Sequence, residues 1–74
     1  MIAVRVMVDG ELVASASARS RWELPDVVAG TTRSYDHNPD LSLEREEKVR
    51  DASGELSGLV IHYRTRKAEA KAVA

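Results

Sequence analysis

Residues 2–18 read Ile2-Ala3-Val4-Arg5-Val6-Met7-Val8-Asp9-Gly10-Glu11-Leu12-Val13-Ala14-Ser15-Ala16-Ser17-Ala18. The first seven are β-branched at every second position. Asp9-Gly10 then separates two strand-like runs, and Asp-Gly suits a type I′ turn, which needs positive φ at both central residues. The stretch predicts a β-hairpin. A two-residue loop sets Val8 opposite Glu11, Val6 opposite Val13 and Val4 opposite Ser15. That register gathers Ile2, Val4, Val6, Val8 and Val13 on one face. It puts Ala3, Met7, Leu12, Ala14, Ala16 and Ala18 on the other, broken by Arg5. Both faces are mostly apolar, so both call for cover, from a helix of the chain or from a second copy.

Outward from the hairpin, Leu56-Ser57-Gly58-Leu59-Val60-Ile61-His62-Tyr63-Arg64-Thr65 reads as a strand. Its nearly continuous apolar run, Leu59 to Tyr63, points to a central strand covered on both faces. Gly58 marks a bulge or a close backbone approach. Between hairpin and strand, Pro25-Asp26 suits a turn or the first turn of a short helix through Val27, Val28 and Ala29, with Gly30 at its end. Thr31–Tyr35 leans towards a short fourth strand, and Asp36-His37-Asn38-Pro39-Asp40 is a dense turn signal.

Leu41–Ala52 reads two ways. For a helix over about 39–52, Asn38 caps and Pro39 opens it. Glu44 with Lys48 and Glu46 with Arg50 are spaced i,i+4, and Gly54 ends it. Against it, Leu41, Leu43 and Val49 fall at odd positions, as in a strand, with Asp51–Gly54 as a hairpin loop. The helix-forming run Glu44–Lys48 favours the helix. The expectation is a small α+β domain over 1–67: an antiparallel sheet of N-terminal hairpin and C-terminal strand, with one helix at about 39–52 and a frayed tail at 68–74. The alternative is all-β, with Leu41–Arg50 paired to 55–66. The expected core is Val4, Val6, Val13, Trp22, Leu24, Leu41, Leu59 and Ile61.

Composition narrows the chemistry. The chain has 74 residues, net charge -1, no Cys and no Phe. Disulfides, thiolate metal sites and cysteine nucleophiles are therefore excluded. A core of this size supplies about 3–5 kcal/mol, so self-association, most simply a homodimer, is an economical way to complete the fold. Met1–Ala18 superficially resembles a signal peptide through its small-residue run Ala14–Ala18, but no positive charge precedes an apolar stretch and Arg5, Asp9 and Glu11 interrupt it, so that reading is rejected. No apolar run is long enough to span a membrane, and the default location is cytoplasmic.

Catalytic constellations are missing. Asp36-His37 belongs to a polar turn, and His62 reads as a strand histidine with one satisfied nitrogen. No Ser sits in a nucleophile elbow. The glycines are isolated, and Glu44, Glu46 and Glu47 read as a solvated face. Asp36, His37 and Asp40 lack the alternation of a calcium loop. The expectation is no catalytic residue, no metal, no cofactor and no small-molecule substrate.

What stands out is two basic groups beside aromatic residues: Arg19, Arg21 and Arg33 around Trp22, and Arg64, Arg66 and Lys67 after Tyr63. These residue types are enriched in interface anchors. They are the expected partner-binding residues, and they form one patch if the last strand ends beside the hairpin's second strand. The functional expectation is a non-enzymatic protein-interaction module of inhibitor, antitoxin-like or phage-accessory type, acting as a homodimer on a protein partner. The alternative is a nucleic-acid binder using the Arg/Lys patches, although a balanced net charge is unusual for one.

Overall fold

A computed structural model describes residues 1–66. The chain is a small α+β domain in the order β1 (Ile2–Val8), β2 (Glu11–Ala18), α1 (Leu24–Asp36), β3 (Leu41–Arg50), β4 (Leu56–Thr65). One four-stranded sheet runs β2-β1-β4-β3. The two hairpins are antiparallel, but β1 and β4 pair in parallel at the centre. The sheet is therefore mixed and not purely antiparallel, because α1 carries the chain back across the sheet before the second hairpin starts. The expected tail at 68–74, together with Lys67, lies outside the described residues.

The first turn forms as read. Asp9 and Gly10 have φ of 50° and 85°. The register beyond it differs from the simple alternation. Met7 pairs with Leu12 but Val6 pairs with Ala14, so a bulge falls at Val13. The extra residue exchanges the faces of everything after it. Ala14, Ala16 and Ala18 join Val6, Val4 and Ile2, while Ser15 and Ser17 turn to the other side. Val13 is 44% exposed and is not a core residue.

The helix sits at 24–36 and not at 39–52. Leu24, Val27, Val28, Thr31, Thr32 and Tyr35 are its buried or half-buried positions, spaced as one helical stripe. Pro25 lies in the first turn, where its missing N–H costs nothing, with Asp26 early and Arg33 late as the helix dipole prefers. The hydroxyls of Thr31 and Thr32 donate to the carbonyls of Val27 and Val28, both at 2.7 Å, so the buried Thr32 is satisfied. Thr31–Tyr35 is thus the second half of a helix and not a strand.

Leu41–Arg50 pairs with β4 as in the all-β alternative, with Asp51–Gly54 turning the chain. Gly54 takes φ of 87°, and the Asp51 carboxylate accepts from the backbone N–H groups of Ser53 and Glu55. Every residue of β3 from Leu43 onward is exposed. As an edge strand, β3 tolerates charges that a covered strand would not.

The core is Val4, Val6, Leu59, Ile61 and Tyr63, with Val8, Ala14, Leu24, Val27, Val28, Tyr35 and Leu41 packed against it. Trp22 is 86% exposed, because the tight turn before α1 points it outward and Leu24 fills the inward position. The face away from α1 carries Ala3, Arg5 and Met7 of β1 and Val60, His62 and Arg64 of β4. β4 is central as expected, but α1 covers only one of its faces. Of the two readings of Gly58, the bulge holds: Val49 pairs with Gly58 but Arg50 pairs with Leu56, while a Cβ at Gly58 would make only ordinary contact, 3.4 Å from Val49 Cβ and 3.5 Å from the Ala3 carbonyl.

Candidate interaction surfaces

Two surfaces stand out. The first is the free edge of β2. Among the described residues, no strand lies beside its outer backbone groups. From Leu12 to Ala18 it carries neither charge nor proline. Natural sheets usually protect an edge with charges, proline or twist. Here the only such device is the bulge at Val13, which leaves Ala14–Ala18 regular. Ala14 and Ala16 are half-buried and Ala18 is buried, with Ser15 and Ser17 exposed between them.

The second surface is a cleft of about 450 Å³ where β2 ends and β4 begins. Arg19 and Arg21 reach it from the β2–α1 connection, and Lys48 and Arg50 from the end of β3. Glu55 and Ser20 also line it. None of the four cations pairs with a carboxylate among the described residues. Arg50 Nη1 donates to the Gly54 carbonyl at 3.0 Å, which steadies its guanidinium. The backbone N–H of Arg19 donates to Glu23 Oε2 at 2.9 Å, which fixes the turn that presents Arg19 and Arg21.

The two basic groups expected from sequence do not merge. β2 runs against β1 and β4 runs with it, so Arg19 and Arg64 stand at opposite ends of the sheet. Arg33 belongs to neither group, being in the last turn of α1. Arg64 and Arg66 are exposed at the far end, where the Arg66 N–H donates to the Asp40 carbonyl at 2.7 Å. Tyr63 is only 2% exposed and is a core residue, not a contact residue. It lies in register with Val8 and Leu43 on the helix side, and its hydroxyl donates to Asp36 Oδ1. Burial, reinforced by that bond to a carboxylate, pushes its pKa up to about 12. Its ring lies 5.8 Å from that of Tyr35.

Arg19 and Arg21 thus share a cleft to which the sheet adds Lys48 and Arg50, both within the helix expected at 39–52, while Trp22 is not among its lining residues. The strand signal at Leu41, Leu43 and Val49 was the clue to Lys48 and Arg50. His62 Nε2 lies 3.1 Å from Glu47 Oε1 on the open face, and His37 caps the end of α1. No described helix is long and apolar enough to cross a membrane.

The fold and these two surfaces define a small four-stranded α+β domain with an open sheet edge. Comparison with protein-family models, curated proteins and solved structures finds no match to this chain.

Proposed function

We propose that the chain is a non-enzymatic protein-interaction module that works by adding a strand to the free edge of β2. The supporting observation is the contrast between a charged β3 edge and a regular, uncharged β2 edge over Ala14–Ala18. Strand addition draws affinity from main-chain hydrogen bonds and specificity from alternate side chains. The first occupant is a second copy. An antiparallel two-fold pairing places no demand on sequence, and here it brings like residues together because Ala14-Ser15-Ala16-Ser17-Ala18 reads the same in both directions. Centred on Ala16, it sets Ala opposite Ala on the helix side and Ser opposite Ser on the other. The inhibitor, antitoxin-like and phage-accessory roles are all occupation of a partner's surface, and all are compatible with this edge.

The test is light scattering on the wild type and on Ser15→Lys/Ser17→Lys. Wild-type protein is expected at twice 8.1 kDa, and the double variant at the single-chain mass with an unchanged far-UV spectrum. A wild type that stays a single chain from micromolar to millimolar concentration rules out self-pairing at this edge.

A further inference from the structure

The cleft at the other end of β2 has a chemistry that strand addition does not use. Four cationic side chains converge there from two segments far apart in sequence, on a chain whose net charge is -1. Like charges gathered without carboxylate partners repel one another, and that cost is offset when an anion sits between them. We infer that this cleft binds a ligand carrying two or more phosphate groups in series, with Arg19, Arg21, Lys48 and Arg50 as the phosphate contacts.

Three observations set the ligand class. Three of the four cations are arginines, whose planar forks match phosphate oxygens in pairs. The volume, about 450 Å³, lies within the range of small-ligand sites, roughly 300–1,000 Å³. One phosphate would leave most of this charge unanswered, whereas a diphosphate or a run of backbone phosphates engages it. Glu55 on the lining limits the net charge and disfavours a ligand that fills the whole cleft with anion. Trp22 follows Arg21 in sequence and is 86% exposed, but it is not among the residues that line the cleft. The same chemistry comes from two sources, a nucleoside di- or triphosphate and a single-stranded nucleic-acid backbone.

Binding is read by isothermal titration calorimetry, which needs no reporter group in the cleft. The experiment titrates the full chain with pyrophosphate, ADP and a short oligothymidylate at 20 and 200 mM salt. It is repeated for Arg21→Glu/Lys48→Glu and for Arg33→Glu, whose side chain lies outside the cleft. Saturable binding is expected, weakened at least tenfold in the cleft variant and changed less than twofold in Arg33→Glu. Binding of ADP and pyrophosphate assigns the free-nucleotide source. Binding of the oligonucleotide alone, with a steep salt dependence, assigns the nucleic-acid source. Absence of saturable binding to all three at 20 mM salt overturns the site. So does an Arg33→Glu loss equal to that of the cleft variant, which would mean diffuse attraction. Because the β2 edge is untouched in every variant, a change in self-association is read separately.

Discussion

The two hairpins are built alike and end differently. Each has one strand in the centre of the sheet and one at its edge, and each turns at an aspartate with a positive-φ glycine nearby. The central strands β1 and β4 hold the core. The edge strands diverge: β3 carries Glu44, Arg45, Glu46, Glu47, Lys48 and Arg50, while β2 carries Ala and Ser over the same kind of position. Charged side chains at an edge make pairing with another sheet costly. Short neutral ones leave the backbone accessible. The difference teaches that side-chain chemistry guards one edge of this sheet with charge and leaves the other without it over Leu12–Ala18.

That comparison can be broken first at the centre. Val6→Asp places a carboxylate at a fully buried position of β1 with no partner. The cost should exceed the roughly 3–5 kcal/mol such a core holds, so the variant should lack a cooperative melt. A soluble variant that still melts cooperatively would show the faces of the first hairpin assigned the wrong way round.

The second test falls on β4. Tyr63→Phe deletes the bond to Asp36 and should lower stability by about 1–2 kcal/mol in urea unfolding at pH 7. It should also change the alkaline limb. A phenol whose folded pKa is raised to about 12, above the ordinary value, contributes stability that is whole below the unfolded pKa of about 10. That contribution is lost as pH rises through the folded value. The wild type should therefore weaken between these two pH values, and the variant should show less of that weakening.

The smallest effect separates the two turn aspartates. Hydrogen bonds from Thr65, first from its backbone N–H and then from its hydroxyl, hold the Asp9 carboxyl below the usual range. Those bonds reach across the sheet from one hairpin to the other. The Asp51 carboxyl is lowered too, chiefly by Ser53 and Glu55 of its own loop. Both contributions are present above the ordinary carboxylate pKa and disappear as pH falls through the lowered one. Asp9→Asn should reduce the melting temperature at pH 7 more than Asp51→Asn, with the gap closing at low pH. Equal losses would mean that the link between hairpins carries no weight.

The sequence made the first hairpin, its turn and the β4 strand legible, because each is a local signal: alternation, Asp-Gly, an apolar run. The start of the helix, Pro25 to Ala29, was legible as one of two readings, and its continuation past Gly30 was hidden for a physical reason. Val27, Val28, Thr31 and Thr32 are β-branched, and Gly30 interrupts them, so propensity speaks against the stripe that their spacing forms. Packing against the sheet outweighs that preference. The reverse holds for Glu44–Lys48, whose helix-forming residues are there to protect an edge. The candidate cleft was half legible: Arg19 and Arg21 are close in sequence, but Lys48 and Arg50 come to them only through the order β2-β1-β4-β3. The bulge at Val13 was not legible at all, since one inserted residue leaves no mark in composition.

The parallel seam between β1 and β4 joins the earliest and latest strands of the described chain. β1 therefore keeps an unmatched flank until residues 58–63 of β4 lie beside it. A contact that spans most of the described residues carries a high loop-closure cost, so this seam should form late in folding, after both hairpins have begun to pair.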